Sequence, residues 1–241
     1  MPELQTDAYG ELGRAMLEQL SEASRFNQWM ADTIAPYLGS DVLEIGAGIG
    51  SLTKLLSIGR KRYITTDVDQ LHLYELQKRF RNYANVSTAL CNVLSSEDFR
   101  PFQRRVDTIV CLNVLEHIAD DVQGLKNVHD TLKTDGRAII LVPQGMRAFG
   151  TLDKALHHVR RYSKSELAGK METAGFRIGP ILKFNRIAYP AWIVNGRILH
   201  RRGFSAAQLR LFDALVPIWR RIDGFVPWPP TLLIAIGHKN G

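Results

Sequence analysis

Val42-Leu43-Glu44-Ile45-Gly46-Ala47-Gly48-Ile49-Gly50 is a short apolar run that carries one acid and then breaks into three glycines at every second position. Such a run, bounded by glycines, reads as a buried parallel strand that ends in a tight turn and opens a helix. Glycine at the turn allows positive φ and lets a bound molecule approach the backbone with no Cβ in the way. The turn is therefore read as a cofactor seat.

Spacing narrows the cofactor. The dinucleotide fingerprint G-x-G-x-x-G/A fails, because counting from Gly46 its last position falls on Ser51. The P-loop fails as well, since no Gly-Lys-Ser/Thr follows. What remains is E-x-G-x-G-x-G, with the Glu44 carboxylate beside the loop. A carboxylate there repels a pyrophosphate and attracts an ammonium group, and S-adenosylmethionine offers an ammonium, a ribose and no phosphate. Downstream, Tyr63-Ile64-Thr65-Thr66 reads as a second strand ending in Asp67, where an acid accepts hydrogen bonds from both ribose hydroxyls.

Glu44 to Gly50 and Asp67 together resemble the first two motifs of the class I S-adenosylmethionine-dependent methyltransferases, in their bacterial small-molecule form. The resemblance implies an α/β fold, a Rossmann-like, doubly wound sheet of seven strands. That sheet would be mostly parallel with its last strand antiparallel, preceded by N-terminal helices and carrying a helical insert before the last strand. It implies S-adenosyl-L-methionine as cofactor and S-adenosyl-L-homocysteine as product. The residues it places on the cofactor are Glu44, Gly46, Ala47, Gly48, Gly50, Asp67, Val68, Asn92, Val93, Asn113 and Val114.

The rest of the chain follows the same alternation. Gly10 to Tyr37 reads as helical, with Tyr9 and Trp29 as aromatics within reach of a ligand or of the core, and Ser51 to Leu56 begins the first core helix. Gln70 to Tyr83 is an amphipathic helix. The third strand, Val86 to Leu90, ends near Asn92, whose amide oxygen can read an adenine amino group or satisfy a turn. The fourth strand, Val106 to Leu112, runs into Asn113-Val114-Leu115-Glu116-His117-Ile118. That block resembles the motif after strand four in class I small-molecule enzymes, with Asn113 offering its carbonyl to the cofactor and His117 facing the substrate as a candidate general base. A helix over Asp120 to Lys133, closed by Gly136, leads to a fifth strand from Arg137 to Val142.

Past Pro143 the sequence changes character. Leu156-His157-His158-Val159-Arg160-Arg161-Tyr162-Ser163 resembles a segment of related bacterial enzymes in which a His and an Arg-Tyr pair precede a helix. Ser163 and Glu166 form a capping box for that helix. His158 is a second candidate base, and Arg147, Arg161 and Tyr162 are candidate substrate contacts, with Arg161 and Tyr162 equally placed to tie the loop to the helix that follows. Arg177 to Lys183 and Thr231 to Gly237 read as strands six and seven. The intervening stretch is too long to be a structureless loop, and includes a helical run from Ala206 to Arg221. The organisation expected is a helical cap at 1–40, a cofactor-binding core at 41–185, a lid or dimer insert at 186–230, and the last strand at 231–241.

Composition bounds the rest. At 241 residues and 45% apolar content the chain can bury a full core. No apolar run reaches the ~18 residues of a spanning helix, and Met1 to Asp7 lacks a signal-peptide pattern, so a cytoplasmic location is expected. Cys91 and Cys111 sit in strand-like runs and read as buried free thiols; no metal ligands are assigned. Residues 1–142 hold 15 Lys/Arg against 19 Asp/Glu, whereas 143–241 hold 16 against 5. A basic second half fits an anionic or amphiphilic small-molecule acceptor, with peripheral membrane contact through 186–221 or a homodimer as other uses of the insert. Nucleic acid is disfavoured because no binding module accompanies the basic residues. Macromolecule methylation and a non-catalytic, cofactor-binding role stand as alternatives to small-molecule methyl transfer.

Overall fold

A computed structural model describes residues 22–240, so Tyr9 and the expected helix before Glu22 lie outside the described residues. Seven strands form one sheet: β1 (Asp41–Ile45), β2 (Arg62–Asp67), β3 (Val86–Leu90), β4 (Val106–Leu112), β5 (Leu132–Pro143), β6 (Arg177–Phe184) and β7 (Leu232–His238). Their order across the sheet is β3-β2-β1-β4-β5-β7-β6. The first five run parallel, while β7 runs antiparallel to both β5 and β6. This is the expected class I architecture. The order reverses between β1 and β4, which opens a crevice at the carboxyl ends of those strands.

The alternation of side chains shows why the strands sit inside. On β1, β4 and β5, Leu43, Ile45, Ile109, Cys111 and Ile140 pack into one apolar layer, while Val42, Val110, Ile139 and Leu141 pack into the other. A period of two with both faces apolar is what a strand covered by helices on each side requires. Cys91 and Cys111 are free and buried.

The helices are α1 (Ser24–Ile34), α2 (Thr53–Leu56), α3 (Gln70–Phe80), α4 (Ser96–Phe99) and α5 (Asp121–Thr131) in the first half. The second half adds α6 (Thr151–Ala155), α7 (Lys164–Thr173), α8 (Tyr189–Ile193), α9 (Ala206–Ala214) and α10 (Val216–Ile222). The capping box on α7 forms, with Ser163 Oγ accepting from the Glu166 N–H.

Two local expectations are corrected. The helix before β5 stops at Thr131, and Leu132 is already extended with ψ of 148°. The Thr131 hydroxyl donates to the Asn127 carbonyl, a back-bond that competes with helix continuation. Gly136 does not close a helix: it lies in β5, where a Cβ would stand 2.8 Å from the Lys133 carbonyl, and the left-handed residue of that corner is Asp135 at φ 60°. The run from Ala206 to Arg221 is two helices that break at Leu215, because Pro217 has no N–H for the carbonyl four residues earlier.

The insert between β6 and β7 is fastened to the body. Phe26 of α1 donates its backbone N–H to Asp213 of α9 at 2.8 Å. Phe26 also packs its ring against Phe184, tilted, and Phe212, edge-on, with ring centroids 5.7 Å apart in each pair. Asp223 holds the Ile187 N–H at 3.0 Å, so both acids of the insert are turned inward onto backbone donors.

Candidate active site

The glycine turn after β1 has φ of 69° at Gly46, 55° at Gly48 and 77° at Gly50. A Cβ at Gly46 would meet Val114 at 2.4 Å and one at Gly50 would meet Phe80 at 2.6 Å, but at Gly48 nothing lies within 4 Å. Two of the glycines are thus demanded by packing, and the third faces open space where a ligand can approach. Ala47 donates its N–H to the Thr66 carbonyl, tying the turn to the end of β2.

Asp67, at that end, is buried and aimed at the turn. One carboxylate oxygen accepts from the Gly48 N–H at 2.8 Å and the other from the Asp69 N–H at 3.0 Å. Val68 beside it is exposed. Glu44 is buried beneath the turn, accepting from the Thr53 hydroxyl at 2.5 Å and the Thr65 hydroxyl at 3.4 Å. Burial pushes its carboxyl up to about 7, against the pull of those hydroxyls. Asn92 is engaged locally: its side-chain oxygen accepts from the Leu94 N–H at 3.0 Å, and Val93 next to it is buried in the core.

Across the crevice, β4 ends in Asn113, which is held at φ 54° with its N–H on the Leu141 carbonyl. A non-glycine residue in that region carries backbone strain, which accumulates at functional sites. Asn113 lines a cavity of about 790 Å³ together with His117, His158 and Arg161; most of the remaining wall is apolar and comes from α1 and the insert between β6 and β7. The cavity therefore has a polar end at the carboxyl edge of the sheet and an apolar body under the insert.

The polar end is built on Asp153. Its carboxylate accepts from Arg161 Nε at 2.6 Å, faces His158 Nδ1 at 3.0 Å, and accepts from the Gly150 N–H at 2.9 Å. Burial would raise this acid, but those partners hold it below the usual carboxylate range. Arg161 is buried, gives a second bond to the Gln144 carbonyl and lies 4.6 Å over the Trp192 ring. His117 meets His158 edge-on with centroids 4.9 Å apart. Burial and the neighbouring His158 bring His117 down to about 4, so its imidazole is neutral at physiological pH. Glu116 is fully buried and pushed up to about 8, chiefly by desolvation.

Of the predicted residues, the structure brings Asn113, His117, His158 and Arg161 together on one wall. Arg147 is exposed and away from that wall; its carbonyl instead accepts from Arg197. Tyr162 is fully buried with its hydroxyl on Asp121 at 2.8 Å and on the Leu115 carbonyl at 3.1 Å, a fixture between loop and α5 rather than a wall of the cavity. Asp153 and Glu116 are residues of this end that the sequence does not single out as site residues. A signal for Asp153 did exist, since acids are scarce in the basic half and this one stands five residues before His158.

Residues 43–138 match a family described as a methyltransferase domain. A protein of Mycolicibacterium smegmatis, named as a probable S-adenosylmethionine-dependent methyltransferase, is 29% identical over 201 residues, which span 82% of this chain and 70% of that protein. Among solved structures, phosphoethanolamine N-methyltransferase 2 of Haemonchus contortus in complex with S-adenosyl-L-methionine superposes with a TM-score of 0.61. The match covers 90% of this chain and 53% of that one at 16% identity. The [4+2]-cyclase SpnF gives a TM-score of 0.60 over 88% and 80% of the two chains at 14% identity. At these identities the solved structures establish likeness of fold.

Proposed function

The chain is a class I S-adenosylmethionine-dependent methyltransferase, and from that premise we propose that its acceptor is a small amphiphilic metabolite methylated on oxygen or nitrogen. The observation that carries this reading is the shape of the cavity: an apolar body closed by the insert, ending on Asn113, His117, His158 and Arg161. An acceptor with an apolar frame and one polar head would place its head at the strand ends and its frame beneath Trp192, Phe212 and Trp219. The cofactor would lie on the other side of Asn113, its ribose on Asp67, its ammonium over the turn in the field of Glu44, and its adenine toward Asn92 and Val93.

Transfer is then a displacement at the sulfonium methyl. The acceptor's lone pair forms the new bond to carbon while the carbon–sulfur bond breaks and its electrons stay on sulfur. The positive sulfur already activates the methyl group, so the protein's share is alignment and exclusion of water. A carboxylate acceptor loses no proton. A hydroxyl does, and Nε2 of His158 would take it, because Asp153 fixes the proton of that ring on Nδ1. The basic, partly apolar surface of 186–221 supports delivery of such an acceptor from an anionic membrane surface.

The test is calorimetric titration with S-adenosyl-L-homocysteine, on the native chain and on Asp67→Ala, followed by transfer of labelled methyl to a panel of amphiphilic and polar acceptors. Losing the ribose acceptor should weaken binding by about tenfold or more, ~1.4 kcal/mol. Labelled methyl must be followed because the fold also serves a [4+2]-cyclase. Equal transfer to polar and amphiphilic acceptors would overturn the substrate class.

A further inference from the structure

We propose that Glu116, His158 and His117 form a binding site for one divalent transition-metal ion on the polar wall of the cavity. The three side chains can each offer a ligand atom, and these atoms all lie within 4.8 Å of one another.

Two features point to a cation rather than to a satisfied polar cluster. The first is Glu116: both carboxylate oxygens are buried and neither has a hydrogen-bond partner. Its own backbone N–H lies near the carboxylate but outside hydrogen-bonding geometry. The nearest buried cation, Arg161, spends its donors on Asp153 and the Gln144 carbonyl. Two buried acids thus share one guanidinium, and the acid left over is strongly destabilised unless it is protonated or bound to a cation.

The second is the orientation of His158. Its Nδ1 stands 3.0 Å from Asp153, which places Nε2 opposite Glu116 Oε1 at 3.8 Å. With the ring proton held on Nδ1, two lone-pair-bearing atoms face each other at a separation too long for a hydrogen bond. Two ligands bound at ~2.1 Å in tetrahedral geometry stand ~3.4 Å apart, so little movement closes the gap. A carboxylate on the far nitrogen of a ligating histidine is also the usual outer partner in metal sites, where it orients the ring and raises its basicity. His117, packed edge-on against His158, supplies the third atom by giving up one of its backbone contacts with His157 or Asn113. Two imidazoles and one carboxylate suit zinc-like ions rather than magnesium or calcium. Because His117 and His158 line the cavity, the open coordination positions would face the acceptor; with Nε2 of His158 on the ion, a hydroxyl bound there would release its proton to solvent more readily, and His158 would serve as base only in the metal-free protein.

The test uses tag-free, full-length protein stripped with a chelator and titrated with Co²⁺, read by visible absorption and by calorimetry. One ion per chain with ligand-field bands is expected, weakened at least tenfold in Glu116→Gln and in His158→Ala, with far-UV circular dichroism confirming that both variants fold. Asp153→Asn should weaken it less while keeping the spectrum, as an orienting partner does. Absence of stoichiometric binding by the native chain would overturn the site, as would binding left unchanged in both ligand variants. A more stable Glu116→Gln with no metal uptake by the native protein would identify Glu116 as a buried neutral acid instead. Titration with S-adenosyl-L-homocysteine is scored separately, so failure of the methyl-transfer reading leaves the metal result standing on its own.

Discussion

Tyr162 fixes the loop that carries His158 and Arg161. Its hydroxyl joins Asp121, which also holds Arg160 at 2.9 Å and Lys170 at 2.8 Å, so one buried acid gathers loop, α5 and α7. Tyr162→Phe keeps the ring and removes the donor. Asp121 retains two cations, so the loss should be that of a buried hydrogen bond, ~1–2 kcal/mol in a urea unfolding curve. Activity per folded molecule should be preserved; a larger fall in activity than in folded fraction would mean that Tyr162 reaches the acceptor. Glu44 gives a pH-dependent counterpart. Its carboxyl is raised to about 7, above its value in the unfolded chain, so between roughly 4.5 and 7 the folded state binds the extra proton. Stability from this group is therefore present at low pH and lost as pH rises through 7, by at most ~3 kcal/mol. Thermal unfolding of Glu44→Gln at pH 5 and pH 8 should show a smaller drop between the two than the native chain; an identical drop would place the charge elsewhere.

At the scale of elements, the glycine turn separates packing from ligand approach. Gly48→Ala introduces left-handed strain of ~1–2 kcal/mol but no clash, whereas Gly50→Ala adds overpacking against Phe80 and Leu76, another ~1–3 kcal/mol. Melting curves should therefore rank Gly50→Ala well below Gly48→Ala, while S-adenosyl-L-homocysteine titration should find affinity lost in Gly48→Ala even where it is folded. Equal melting of the two would sink the packing argument. The turn was legible in sequence because its glycines are spaced as the chemistry demands, and the strands were legible because β1, β4 and β5 are apolar on both faces. What was not legible depended on neighbours distant in the chain. Gly136 is small because Asp107 and Lys133 crowd it, not because a helix ends there. Glu116 was readable as part of a motif, yet its isolation from every donor appears only when β4 is set beside the loop carrying Asp153 and Arg161. Tyr162 beside Arg161 looked like a pair with one task, and the fold sends the ring into the core and leaves the guanidinium on the cavity wall.

Across the whole molecule, the chain passes at Pro143 from a mildly acidic half that holds the cofactor motifs to a half in which 16 Lys/Arg face 5 Asp/Glu. The insert sharpens this contrast. Its two acids, Asp213 and Asp223, are buried on backbone donors, so the charge it presents to solvent is entirely cationic. Arg202, Arg210 and Arg221 are exposed, and none is engaged by another side chain among the described residues. The same segment exposes Ile198 and Leu211 at 63% each and Phe225 at 88%. Cations and bare apolar side chains on one insert are the combination that binds an anionic lipid surface, each cation contributing ~1 kcal/mol near the headgroups. Co-sedimentation should therefore show the protein on vesicles rich in phosphatidylglycerol and not on pure phosphatidylcholine. Changing Arg202, Arg210 and Arg221 together to Gln should weaken binding by about a hundredfold, the ~3 kcal/mol of three cations, and added salt should weaken the native protein in the same direction. Phe225→Ala should lower affinity at every salt concentration, because an apolar anchor is unscreened. Equal binding to both vesicle types would replace the electrostatic account with a purely apolar one. Strong transfer to water-soluble acceptors without any vesicle binding would detach the cavity from the membrane altogether.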